Sequence, residues 1–165
     1  MLKQIAAAGR PLPSRKQALI ARLRLDAIGF VFQSFNLLPS LTALDNVALP
    51  LRLIGAPGRI ARRRAAELLE AFGLSRRLDA SPKTLSGGEK QRVSLACALA
   101  GDPAVKLADE PTTSLDTANG REAIEILRSS THRGRRACLV VTHDVRLIDY
   151  ANRMLRIEDG RLVES

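Results

Sequence analysis

The sequence has very few aromatic side chains. They make up 3% of its 165 residues, with no tryptophan and one tyrosine. The core must therefore be aliphatic, and the aromatic platform on which single-stranded nucleic acid stacks is unsupported. Apolar runs of about 18 residues, long enough to span a membrane, are also missing. The first ten residues lack the apolar segment of a signal peptide, so we expect a cytosolic chain.

Cysteine is nearly absent as well. The two cysteines, Cys97 and Cys138, do not have the spacing of metal ligands. In a reducing cytosol they are expected to be buried thiols and not a disulfide.

Acidic residues are outnumbered, which gives a net charge of +9. The arginines are scattered over predicted helices and loops instead of forming one stripe. This distribution favours solvated helix faces; a surface that meets acidic lipid or a partner loop is the alternative.

Hydrophobic residues amount to 45% of the chain, which predicts one globular domain. Strands and helices alternate, which predicts a parallel sheet covered on both faces. A C-terminal hairpin with an Asp159-Gly160 turn follows. The predicted strands are 27–33, whose apolar and β-branched residues predict a buried strand, 105–109 and 137–143. The predicted helices are 14–24 (capped by Ser14), 42–51, 60–72, 86–101, 117–130 and a short one ending near Tyr150. One apolar stripe is predicted to face inward on helix 60–72, made of Ile60, Ala61, Ala65, Leu68, Leu69 and Phe72, and on helix 117–130 the inward residues are Ala123, Ile124 and Leu127.

The turn formed by Ser86, Gly87 and Gly88 leads into a predicted helix. Free backbone N–H groups at a helix start attract phosphate, and glycines allow a close approach. Ser is also a common N-cap residue, so an ordinary cap is the plain interpretation of these three residues alone.

Two carboxylates, Asp109 and Glu110, end a predicted strand. Carboxyl ends of parallel strands face the ligand crevice of such sheets. Asp109 is expected to hold Mg²⁺ and Glu110 to act as general base toward water. Gln33 ends one neighbouring strand and is a candidate Mg²⁺ ligand, and His143 ends another; His132 lies in a basic turn and is given no role.

Longer strings around these residues resemble the ATP-binding cassette (ABC) family. They are Leu85 to Val93, Asp109 to Thr112 with Ser114 to Asp116, Val140 to Asp144, and Ile28 to Gln33 with the loop that follows. The glutamine-loop region is similar to the branch that serves lipoprotein release and macrolide-type export. The resemblance implies an α/β fold of the P-loop NTPase type: a parallel sheet with a helical signature subdomain at about 40–102 and a catalytic core in the remainder.

The resemblance also implies roles for individual residues. His143 would be the switch histidine that contacts the γ-phosphate, and Gln33 would sense it. Ser86, Gly87, Gly88 and Glu89 would form the signature that binds ATP held by a second subunit. Asp116 would complete the nucleotide-binding set, with ATP and Mg²⁺ as cofactors.

No Gly-x-x-x-x-Gly-Lys-Ser/Thr phosphate loop occurs in the 165 residues. The family places that loop and its adenine-stacking aromatic upstream of the glutamine loop. The resemblance therefore implies a cassette without its N-terminal strands, one that could lend a signature to a partner's ATP but not hold ATP firmly itself.

The implied protein is the ATP-binding subunit of a bacterial exporter. It would pair with a second ABC ATP-binding subunit, bind integral membrane permease subunits and lie on the inner face of the membrane. A non-catalytic partner that donates its signature is the alternative. A chromosome-structuring cassette would need a coiled-coil insertion that is absent here, so no nucleic acid is expected.

Two positions depart from the family pattern. Lys106 stands in a strand where the family is apolar, and we expect it either to reach outward past the sheet or to meet an acid. Cys97 stands where the family usually has Arg, so the signature helix is expected to lack an anchoring ion pair.

Overall fold

The computed structural model describes residues 6–7, 10–11, 17–131 and 136–163. The predicted cap Ser14, the residue His132 and the predicted hairpin end Glu164 lie outside this part. Among the described residues, no helix combines the length and the apolar composition needed to cross a bilayer.

Three parallel strands form the central sheet. A short antiparallel pair comes first in the chain, with β1 at Ala6–Ala7 and β2 at Arg10–Pro11. The central strands are β3 (Ile28–Val31), β4 (Val105–Asp109) and β5 (Ala137–Val141), with β4 in the middle. The register aligns Val31 with Ala108 and Asp109 with Val141, so the carboxyl ends of all three strands meet at one edge.

The helices fall close to their predicted positions. The segment after β5 forms a 3₁₀ helix, and the predicted C-terminal hairpin is confirmed, with positive φ at both Asp159 and Gly160 as a type I′ turn requires. The bounds are α1 Gln17–Ala27, α2 Ala43–Leu53, α3 Gly58–Ala71, α4 Gly87–Leu99 and α5 Thr117–Ser129, with 3₁₀ helices Ser75–Arg77, Pro82–Thr84 and Val145–Tyr150 and hairpin strands β6 Arg156–Glu158 and β7 Arg161–Val163.

Helices α2, α3 and α4 pack against one another beside the sheet. Ala61, Ala65 and Leu69 of α3 are fully buried, as its apolar stripe predicts. Ile60 is 49% exposed, so its predicted inward position is wrong. It lies about 100° around the helix from Ala61, to the side of the packed face. The subdomain boundary at about 40–102 stays a prediction.

The two faces of the sheet differ in burial. On one face α4 packs so closely that a Cβ at Gly29 would lie 2.1 Å from the carbonyl oxygen of Ala98. On the other, Phe30, Leu139 and Val141 are 40%, 55% and 60% exposed. The prediction of a sheet covered on both faces, with β3 wholly buried, is therefore wrong for the described residues. β3 is also shorter than predicted and ends at Val31.

Lys106 is 1% exposed, and within the described ranges its ammonium forms no ion pair with an acid. Its Nζ donates to the carbonyl oxygens of Pro103 at 3.3 Å and Ser130 at 3.2 Å, the latter at the C-terminal end of α5. Both expectations for this residue, an outward path and an acidic partner, are wrong. Backbone carbonyls satisfy the ammonium instead, and burial, with a smaller contribution from nearby Arg136, lowers the Lys106 pKa.

This burial predicts a pH dependence of stability. Because the folded-state pKa lies below the unfolded one, the unfolded chain binds more protons at alkaline pH, and the free energy of unfolding should rise with pH through that range. Lys106→Met should remove this gain, which amounts to about 1.4 kcal/mol for each unit of pKa difference. Urea unfolding of both proteins at neutral and alkaline pH measures it.

Lys83 is exposed, so Lys83→Met is the matched control and should keep the wild-type pH profile. Identical profiles for Lys106→Met and wild type would contradict the account. Burial also raises the pKa of the Cys97 thiol, to about 12, and that of the Cys138 thiol, so these two groups make the free energy of unfolding fall as the pH rises. The Lys106 contribution is therefore measured as the difference between wild type and Lys106→Met.

Candidate functional site

The carboxyl edge of the sheet brings Glu110 and His143 together, as the sequence predicts. Glu110 follows β4, and its N–H donates to the carbonyl of Val141, the last residue of β5, at 2.9 Å. His143 Nδ1 lies 2.7 Å from Glu110 Oε1, and the His143 backbone N–H donates to the same oxygen at 3.0 Å. Glu110 has a φ of 49°, a left-handed conformation that costs free energy in a residue with a Cβ.

The second carboxylate oxygen of Glu110 accepts from two hydroxyls, Thr113 Oγ1 at 3.1 Å and Thr142 Oγ1 at 3.2 Å. Burial tends to raise the Glu110 pKa, since its side chain is only 14% exposed. The hydrogen bonds from His143, Thr113 and Thr142 outweigh burial and hold the pKa below its usual value. Glu110 is therefore ionised at neutral pH and held in a fixed orientation.

The candidate Mg²⁺ ligands lie at the same edge. Asp109 ends β4, and Gln33 lies two residues beyond the end of the neighbouring strand β3. No hydrogen bond joins their side chains, and no three His, Cys, Asp or Glu side chains cluster as a metal site among the described residues. One carboxylate and one amide oxygen fit Mg²⁺, which usually takes few protein ligands and completes its shell with water and phosphate oxygens.

The N-terminus of α4 forms a second half-site. Ser86 is its N-cap: its Oγ accepts from the Glu89 N–H at 3.2 Å, while its own N–H donates to Glu89 Oε2 at 2.8 Å. This capping box uses the serine hydroxyl and the Glu89 amide. In the described part of the chain no hydrogen-bond acceptor takes the N–H of Gly87 or Gly88, so these two amides remain for an anion.

A cavity of about 460 Å³ opens in front of this helix start. Arg77 pairs with Glu89 at 2.8 Å and offsets the charge that this carboxylate would present to an anion. The hydrogen bond from the Ser86 N–H, together with Arg77, holds the Glu89 pKa below its usual value despite opposing burial. The cavity is lined by Arg77, Ser86, Gly88, Glu89, Arg92, Ser114, Leu115, Asp116 and Asn119.

Asp116 also lines the cavity, and it caps α5 by accepting from the Asn119 N–H at 2.9 Å. The bonds from Asn119, with Arg92 nearby, lower its pKa. The structure thus brings Ser86, Gly88, Glu89 and Asp116 to one cavity. Gly87 lies exposed beside it, and Glu110 and His143 form a separate pair at the sheet edge.

Sequence reasoning missed four polar residues of this cavity: Arg77, Arg92, Ser114 and Asn119. Arg92 lies one helical turn after Gly88, a spacing from which it could have been found. Arg77 reaches the cavity from a separate 3₁₀ helix, and no local pattern indicates that contact.

The chain is similar to proteins of one known family. Residues 4–113 match the family described as ABC transporter. The chain is 50% identical to an uncharacterized ABC transporter ATP-binding protein of Thermotoga maritima over 143 residues, which cover 87% of this chain and 61% of that protein.

Two further relatives carry functional names. A methionine import ATP-binding protein of Rhodospirillum rubrum is 44% identical over 95% of this chain and 45% of its own length. A lipoprotein-releasing system ATP-binding protein of Caulobacter vibrioides is 41% identical over 96% of this chain and 69% of its own length. The chain thus spans about half to two thirds of the length of these relatives.

A solved dimer of an ATP-binding cassette, in a post-hydrolysis state with ADP and Pi, superposes with a TM-score of 0.88 at 37% identity. The match covers 95% of this chain and 69% of that one. With the family match, the fold and the residue strings in agreement, the chain belongs to the ABC transporter family of ATP-binding proteins.

Proposed function

We propose that this chain acts as an ATP-binding subunit of an ABC transporter and completes a nucleotide site shared with a second ATP-binding subunit. The observation that carries the proposal is the cavity at the start of α4. Its lining offers the free amide of Gly88 and two arginines, Arg77 and Arg92, and the free amide of Gly87 lies beside it. Together these groups suit the phosphates of a nucleoside triphosphate.

The pair at the sheet edge supports a role on the other side of such a site. Glu110 is ionised and fixed in orientation, and His143, which is 81% exposed, would meet a γ-phosphate through the ring nitrogen that does not face Glu110. Asp109 and Gln33 would hold Mg²⁺, which when bound neutralises phosphate charge. Glu110 acts as base and His143 as switch only where ATP is held on that side.

We further propose export or lipoprotein release as the process served, because the glutamine-loop region resembles that branch and one relative is named for lipoprotein release. Permease subunits would bind near residues 33–53, where Leu38 and Leu53 are exposed, and would hold the chain on the inner membrane face.

A second candidate is a non-catalytic partner. It is favoured by one observation: the signature cavity is built from residues of this chain. Such a chain would lend its signature to the ATP of a complete subunit. In the mixed dimer, Glu110→Gln should then leave ATP turnover unchanged, whereas a marked fall in turnover would favour the hydrolytic role.

The purified 165-residue chain alone should have negligible ATPase activity. Several charge-assisted hydrogen bonds to phosphate are missing without a phosphate loop, each worth about 1.5–3 kcal/mol. Phosphate release measured with wild type and Glu110→Gln should both equal the background without protein. Clear wild-type turnover that Glu110→Gln abolishes would overturn this expectation.

Pairing through the signature can be tested with a full-length cassette whose own signature serine is replaced by arginine. Gly87→Asp should weaken ATP-dependent heterodimer formation by tenfold or more, because it places a negative charge at the anion site. Gly87→Ala is the matched control and should pair like wild type, since the nearest atom to a Cβ there, Ser114 Cβ, is 3.9 Å away. Size-exclusion chromatography with and without ATP measures both.

Equal pairing by Gly87→Asp and Gly87→Ala would contradict the role of the cavity. A wild-type chain that forms no ATP-dependent heterodimer with the full-length cassette would contradict the proposal as a whole.

A further inference from the structure

A second polar cluster lies directly behind the Glu110–His143 pair. Asp144, next to the histidine, has a side chain 15% exposed and accepts from Arg146 in a fork: Nε to Oδ1 at 2.8 Å and Nη2 to Oδ2 at 2.6 Å. The Arg146 backbone N–H adds a third bond to Oδ1 at 3.0 Å. This carboxylate–guanidinium geometry is the strong, orienting form of an ion pair.

Asp144 in turn joins two loops of the site. Its Oδ2 accepts from Thr112 Oγ1 at 3.0 Å, and Thr112, 2% exposed, belongs to the loop that follows Glu110. Its backbone N–H donates at 3.0 Å to Thr142 Oγ1, the same hydroxyl that donates to Glu110. The residues on either side of His143 are therefore both tied to the loop after β4.

Arg146 extends this cluster to α5. Its Nη1 donates to Thr117 Oγ1 at 3.2 Å, and Thr117 is the first residue of α5, directly after Asp116. Asp116 lines the signature cavity. One side chain thus contacts both the segment that carries His143 and the helix start that borders the other half-site.

We propose that Arg146 is a positioning residue: by holding Asp144 against Thr112 while it contacts Thr117 itself, it fixes the orientation in which His143 meets Glu110. His143 has little else to fix it, because its side chain is 81% exposed. The inference rests on the proposed function, in which Glu110 and His143 form the hydrolytic pair. Arg146 touches no reacting atom and acts on that pair through Asp144.

The tautomer of His143 reports the orientation directly. A carboxylate can only accept, so a neutral imidazole bound through Nδ1 to Glu110 must carry its proton on Nδ1. An imidazole released into solvent would exchange freely between its two tautomers. The ¹⁵N shift of Nδ1, recorded well above the pKa of free histidine, about 6.5, separates the two cases.

The experiment uses the 165-residue chain labelled with ¹⁵N-histidine. The sequence contains only two histidines, His132 and His143, so His132→Gln assigns the spectrum. In Arg146→Ala the His143 Nδ1 signal should move from the protonated position toward the tautomer average. Arg156→Ala is the matched control: it removes an exposed arginine with the same two-residue spacing to its acidic partner, Glu158, and should leave the signal in place.

An unmoved His143 signal in Arg146→Ala, or an equal shift in Arg156→Ala, would overturn the proposal. Should Arg146→Ala fail to fold, Arg146→Lys decides. It keeps the charge but not the planar fork, so a smaller shift in the same direction supports the role and a wild-type signal refutes it. Since the readout needs neither nucleotide nor partner, its failure leaves the shared-site proposal standing, and loss of heterodimer formation leaves this result unaffected.

Discussion

The site depends on the parallel pairing of β4 with β5. That pairing carries the Glu110 N–H to the carbonyl of Val141 and so sets the two strand ends side by side. From there the Glu110 carboxylate reaches His143 and Thr142 on the adjoining chain, and its left-handed backbone is maintained by these bonds. A shift of one residue in register would turn each side chain of β5 to the opposite face and separate the pair.

The segment from Glu110 to Thr117 connects two chemically different half-sites. At its start are an ionised carboxylate and an exposed imidazole; at its end, Asp116 borders a cavity with free amides and arginines. A segment of eight residues is too short to let both ends move independently. Asp144 bonds to Thr112 and Arg146 bonds to Thr117, so this segment is held at two points by the chain that carries His143. The two half-sites are therefore structurally coupled within one subunit.

Local chemistry made much of this predictable. The Ser86–Glu89 capping box, the carboxylate after β4 and the inward face of α5 all follow from residues close together in sequence. What escaped prediction depends on distant partners. Arg77 reaches Glu89, and Arg146 reaches Thr117, only because the fold brings these distant segments together. Lys106 donates to backbone carbonyls instead of pairing with an acid.

The exposure of one sheet face likewise depends on distant parts of the chain and was not predicted. Strand periodicity cannot state whether an apolar face has a covering element, and Phe30 and Leu139 are exposed although their residue types favour burial. Ile60 is a smaller case, since an apolar stripe on a helix is wider than the face its neighbours actually cover.

The central claim is that the start of α4 binds the terminal phosphate of a nucleotide held by another subunit. A crystal structure of this chain paired with a phosphate-loop-bearing cassette and a non-hydrolysable ATP analogue tests it most directly. The account predicts the γ-phosphate within hydrogen-bond distance of the Gly87 or Gly88 amide. A complex in which the nucleotide lies away from α4, with both amides turned to solvent, would contradict it.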